Sequence, residues 1–196
     1  MASTNWDKLK NGLDKYISIM QDFESTDVSA ELKFQTKFKG FYRIRRNQEF
    51  CNQYFSILQE HKKNKMLSFE NVLTALLTTG KLEASFSSKL LATINPELPV
   101  WDKEVLRNID SELMPSSSTG DRIKDAVQKY NAMVDYYKVK IQSEEGKQMI
   151  QMFDKNYPGS NITDLKKIDL ILWQTRIPVT LTKKSKNEIN VAAPNI

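Results

Sequence analysis

Thiol and imidazole are nearly missing from this chain: its 196 residues hold one cysteine, Cys51, and one histidine, His61. A single thiol excludes an internal disulfide, and one of each excludes a zinc site built from Cys and His. Also missing are a Gly-rich phosphate loop, a G-x-S-x-G elbow and any metal-ligand cluster. P-loop hydrolysis, that form of serine-hydrolase chemistry and metal catalysis therefore have no foothold, and no metal or cofactor is expected. No apolar run approaches a membrane span, and the opening MASTNWDKLK has no apolar signal core. The expectation is a soluble, cytoplasmic protein with no membrane partner.

What is present is ordinary for a globular chain. Hydrophobic residues make up 40% of the sequence and charged residues 27%, enough for one core and a solvated surface, and the length suggests one domain. The formal net charge of +5 favours an acidic partner, with nucleic acid first among the candidates.

Helical periodicity dominates. Trp6, Leu9, Leu13, Tyr16, Ile17, Met20 and Phe23 recur at helical spacing behind a cap at Ser3, Thr4 or Asn5. Phe50, Cys51, Tyr54, Phe55 and Leu58 form a second stripe, which makes Cys51 a buried structural thiol and leaves His61 in that helix's charged end. Ser68 caps a short helix that Gly80 closes, and the next helix, with Phe86, Leu90, Leu91 and Ile94, ends at Asn95-Pro96. From Ile123 to Ile141 the apolar stripe is nearly unbroken behind Thr119 or Asp121, so this helix is expected to be central. Two more helices cover 144–155 and 164–174; Asp164 and Asp169 read as solvated, and Trp173 as a core or interface anchor. Residues 177–196 lose the helical period and read as an irregular tail with a short strand at 179–182. The expected fold is all-α: one compact domain over residues 1–176, with about eight helices.

Residues 33–46 carry Lys33, Lys37, Lys39, Arg43, Arg45 and Arg46 without an acidic residue, interleaved with Phe34, Phe38, Phe41 and Tyr42. Gly40 argues for a break and the aromatic spacing for partial burial, so the secondary structure here stays open. Cations at this density can neutralise phosphates, and aromatics can stack on unpaired bases. The alternative puts the aromatics in the core and leaves the cations to water. Lys81 and Lys89 extend the set of candidate nucleic-acid contacts, and Lys183, Lys184 and Lys186 in the tail add nonspecific attraction for anions.

The sharpest chemistry lies in residues 83–107, EASFSSKLLATINPELPVWDKEVLR. A helix kept small by Ser85, Ser87 and Ser88 runs into a turn bounded by Pro96 and Pro99, and Asp102 opens a second helix. Aspartate is a leading N-cap residue, so capping alone explains its position. The same segment resembles the catalytic segment of the helix-hairpin-helix DNA glycosylases, whose second half reads approximately V-D-T-H-V-x-R. Asp102, Val105 and Arg107 match by position, while Lys103 and Glu104 replace Thr-His. The turn P-V-W-D is similar to that of small bacterial proteins of the 8-oxoguanine glycosylase fold. This resemblance, confined to about residues 80–107, implies a helix-hairpin-helix glycosylase-like fold, DNA as partner and Asp102 as catalytic carboxylate. The phosphate-anchoring hairpin has only Thr78-Thr79-Gly80-Lys81 as a counterpart. Glu83 and Ala84 stand where bifunctional members carry a lysine, with Lys81 and Lys89 out of register. Within that family, a monofunctional base-excision glycosylase is the form this pattern implies.

Two hypotheses result. One is a DNA-binding protein of glycosylase-like fold, excising a damaged base with Asp102 and gripping DNA through Lys37, Lys39, Arg43, Arg45, Arg46, Lys81 and Lys89. The alternative is a non-enzymatic helical binding module in which Asp102 is a cap only.

Overall fold

Local capping chemistry sets most of the helix boundaries. A computed structural model describes residues 5–64, 66–113 and 117–175. Within these there are nine α-helices, one 3-10 turn (Leu76–Thr79) and no strand. They are α1 (Trp6–Ser25), α2 (Leu32–Tyr42), α3 (Gln48–Glu60), α4 (Phe69–Ala75), α5 (Ala84–Ile94), α6 (Lys103–Ile109), α7 (Arg122–Gln142), α8 (Glu144–Asn156) and α9 (Asp164–Gln174). Every helix but α5 opens on a side chain that accepts a first-turn N–H: Asn5, Glu31, Asn47, Ser68, Asp102, Asp121, Ser143 and Thr163. Asn5 and Asp121 are thus the caps among the alternatives the sequence offered. The chain is all-α, as expected. The expected tail and its strand lie outside the described residues.

The exception, α5, is held by packing instead. All residues from Ser87 to Ile94 are buried, so this helix is sheathed on every side and needs no polar face. It packs against α4 and α3. The long α7 was expected to be central, and it does bury Ala126, Tyr130, Met133 and Tyr137 against α4, α8 and α9. The more enclosed helices, however, are α5 and α9. Of the residues in α9, Leu165, Lys166, Ile168, Asp169, Leu170, Ile171, Leu172 and Gln174 are buried. Asp169 is therefore not the solvated residue that its sequence context suggests.

The basic aromatic stretch resolves into α2, one helix more than the eight expected. In α2, Phe34, Phe38 and Tyr42 recur every fourth residue and are buried, meeting Phe23, Tyr54 and Phe55. Gly40 does not break the helix: it sits on the exposed side, and its propensity cost of about 1 kcal/mol is small beside the burial of Phe34, Phe38 and Tyr42 on the other. The helix ends at Arg43, which takes the left-handed conformation (φ 54°) and donates its N–H to Lys39 O. Glycine is the usual residue there, so an arginine signals local strain. A second, smaller cluster of Leu9, Leu13, Phe153, Leu170 and Ile171 joins α1 and α8 to the outer side of α9.

Candidate active site

The joint between α5 and α6 is clamped from four sides. Ser88 Oγ accepts the Trp101 N–H (2.8 Å) and donates to Ser85 O (2.9 Å). Tyr130 donates to Pro99 O (3.1 Å) and Thr163 to Pro96 O (3.0 Å). Asn108 Nδ2 donates to Leu172 O (2.7 Å), fixing α6 on α9. The two prolines remove backbone donors from the turn, and its carbonyls receive these side chains instead. Asp102 then serves as the N-cap of α6, with Oδ1 accepting the Glu104 N–H at 2.8 Å.

Beyond its cap, Asp102 lines a cavity of about 210 Å³ between α2, α5, α6 and α9. Drug-sized pockets run to about 300–1,000 Å³, so this one suits a single small planar group. Phe41 and Trp173 form aromatic walls, with ring centroids 6.3 Å apart. Arg43 and Lys103 are exposed at its mouth; Tyr42, Lys89, Lys166 and Asp169 are buried at its inner end.

Lys89 is the unexpected member. Its sequence separation from Asp102 looked out of register, yet the chain reversal at Pro96 and Pro99 brings both residues to one cavity. Its ammonium donates to Tyr42 O (3.0 Å) and lies 5.2 Å from the centre of the Phe86 ring. Burial pushes the Lys89 amine below the ordinary lysine range; the Asp102 charge acts against that shift, and Arg43 reinforces it.

Lys166 and Asp169 form a buried ion pair at 2.8 Å, and Tyr137 donates to the other Asp169 oxygen at 3.1 Å. Burial opposes the Lys166 charge, but Asp169, Tyr42 and Tyr16 outweigh it and hold this amine above the ordinary range. The two buried lysines are thus driven in opposite directions within one cavity. The sequence marks neither Lys166 nor Asp169 as a site residue, since a Lys and an Asp three apart on a helix ordinarily form a solvated pair.

The other expected cations lie in several places. Arg45, Arg46 and Lys81 line a separate open cleft of about 790 Å³. There Arg46 is paired with the buried Glu83 and lies over the Phe50 and Phe86 rings. Lys37 is engaged with Asp22 and Ser18 on α1, and Lys39 is half-buried near the end of α2. Of the seven, only Arg43 and Lys89 share the Asp102 cavity. Phe34 and Phe38 are in the core and cannot stack on a base; Phe41, on the cavity wall, can. Cys51 is a buried free thiol, as expected.

Among the described residues no helix is long and apolar enough to cross a membrane, and no His/Cys/Asp/Glu group could hold a metal ion. No family model, curated protein or solved structure matches the chain. What fold and site define is a class: an all-α protein with a small, aromatic-walled cavity lined by two half-buried carboxylates (Asp102 and Glu104), one buried carboxylate (Asp169) and two buried lysines.

Proposed function

We propose that the chain is a DNA-binding protein of glycosylase-like architecture that takes an extruded base into the Asp102 cavity and cleaves its glycosidic bond. One observation carries this reading: the Asp102 carboxylate lines a cavity that has aromatic walls and cations at its mouth. Breaking a glycosidic bond builds positive charge on the sugar, and a carboxylate at the cavity wall stabilises it or activates the attacking water. Flipping the base costs a few kcal/mol, which stacking on Phe41 or Trp173 and phosphate contacts to Arg43 and Lys103 would offset. Strain at Arg43 is consistent with a working site, since unfavourable backbone states concentrate there. The test is base release from duplexes bearing uracil, 8-oxoguanine or an alkylated base. Release by the wild type that is lost in Asp102→Asn is expected, and no release from any duplex removes the catalytic reading.

Lys89 favours a second reading of the same site. Its amine lines the same cavity as Asp102, and burial makes it easier to deprotonate, as a Schiff-base nucleophile requires. Its nitrogen would attack the sugar's anomeric carbon, the glycosidic electron pair would leave with the base, and ring opening would give an imine. Borohydride would then trap a covalent protein–DNA adduct in the wild type and none in Lys89→Gln.

A further inference from the structure

Phe41, Arg43 and Trp173 line a second space besides the Asp102 cavity, a groove of about 250 Å³ between α1, α2 and the end of α9. Groove and cavity thus meet at one aromatic wall. Lys8, Asn11 and Lys15 reach the groove from one face of α1, the two lysines about 10.5 Å apart along the helix axis. Two glycines keep it open. Gly12 admits the Trp173 ring, whose Cζ3 would lie 3.2 Å from a Cβ there, and Gly40 has nothing within 4 Å of its Cβ position.

Charge sets this groove apart. No acidic residue lines it, and among the described residues Lys8, Lys15 and Arg43 form no ion pair, nor does Lys103 at the cavity mouth. Other cations of the same helices are engaged: Lys10 lies 3.8 Å from Asp14, and Lys37 pairs with Asp22. Gln174 also lines the groove; it is only 8% exposed, and its side-chain amide makes no hydrogen bond among the described residues. A buried amide without a partner is a cost that a ligand in the groove would relieve.

We propose that the groove is the path of one unpaired strand of nucleic acid, the strand whose base occupies the Asp102 cavity. Lys8, Lys15, Arg43 and Lys103 neutralise its phosphates, and a neighbouring base stacks on Phe41 or Trp173. The Gln174 amide bonds to whichever polar group of the strand passes it. A second strand would find no matching row of cations. Arg45, Arg46 and Lys81 line a separate cleft, where Glu49 and Glu83 stand among them. An acidic peptide would satisfy the cations but leave the aromatic wall unused. The inference rests on the reading of the Asp102 cavity as a base pocket and adds the form of the partner: a single strand, gripped by α1, α2 and α9.

Fluorescence anisotropy of a labelled, undamaged oligonucleotide with the full chain, over a salt series, tests this without any chemistry. The single strand is expected to bind about tenfold or more tightly than the same sequence as a duplex, the scale of one base stacked on an aromatic side chain. Its log K should fall against log salt with a slope of about −3 or steeper, about −0.7 for each of four phosphates. The double variant Lys8→Gln, Lys15→Gln should make that slope shallower by about 1.4. Lys33→Gln, Lys63→Gln removes the same charge from exposed positions outside the groove and should leave the slope unchanged. Gly40→Glu places a carboxylate where there is room for it and should weaken binding about tenfold, whereas Gly40→Ala should bind like the wild type. A duplex bound as tightly as the strand overturns the proposal, as do equal slope changes in the two lysine variants. So does Gly40→Glu binding like Gly40→Ala, and so does a polyglutamate peptide that displaces the strand at equal concentration, which would make the groove a site for acidic peptides. Single-strand binding without base release refutes only the glycosidic chemistry; base release without single-strand binding refutes only the strand path.

Discussion

Replacing Asp102 by alanine and by asparagine separates its duty as a cap from its duty in the cavity. Alanine removes the acceptor for the Glu104 N–H and should cost about 0.5–2 kcal/mol in urea unfolding, whereas asparagine caps nearly as well and should cost little. If alanine unfolds at the same urea concentration as the wild type, the cap is not holding α6. Capping by Asp102 was legible in the sequence because an N-cap depends on its immediate neighbours. Lys89, Lys166 and Asp169 were not legible as buried members of one cavity. Their burial is decided by helices far away in sequence, and a lysine in isolation reads as solvated. The signal that could have exposed the burial of Lys89 is the composition of α5: apolar and small residues surround one charge, with no second polar side to receive it.

Two adjacent serines in α5 make opposite predictions about that element. Both Ser87 and Ser88 are fully buried. Ser88 ties α5 to the turn by accepting the Trp101 N–H, while the Ser87 hydroxyl has no hydrogen-bond partner among the described residues. Ser88→Ala should therefore lower stability by about 1–3 kcal/mol, and Ser87→Ala should be neutral or stabilising. The two variants share the same gain in helix propensity, so their difference in urea midpoint isolates the hydrogen bond. Equal midpoints would show that the turn holds without Ser88. Most helices could be located from periodicity and caps, but α2 could not. Its aromatic spacing fits a helix, yet Gly40 costs about 1 kcal/mol in helix propensity, and only the burial of Phe34, Phe38 and Tyr42 by distant helices outweighs it. The α5–α6 joint was readable as a joint; its clamps to Tyr130, Thr163 and the Leu172 carbonyl come from other parts of the chain and were not.

At the scale of the whole molecule, the fold encloses hydroxyls as well as charges, and this predicts how it fails in alkali. Burial pushes the phenols of Tyr16, Tyr42, Tyr54, Tyr130 and Tyr137 above the ordinary tyrosine range, and Tyr136 up to about 12. A group whose folded pKa lies above its unfolded value contributes stability that is full below the unfolded pKa and is lost as pH rises towards the folded one. For these tyrosines the loss starts near pH 10, where the unfolded chain ionises and the folded one does not. Lys166, also raised, adds to it above the ordinary lysine range; Lys89, lowered, acts the other way, its burial cost being relieved as pH rises through its folded pKa. Each deeply buried phenol removes about 1.4 kcal/mol per pH unit, so five together rival the 5–15 kcal/mol total of an ordinary domain within one or two units. The one opposing lysine cannot offset them. The urea midpoint should thus be nearly flat up to about pH 9.5 and fall steeply beyond it. Tyrosinate absorbance should rise together with loss of helical circular dichroism rather than before it. Absorbance that climbs near pH 10 while the helices persist would mean that these phenols reach water in the folded state, and the enclosed cavity wall formed by Tyr42 would go with them.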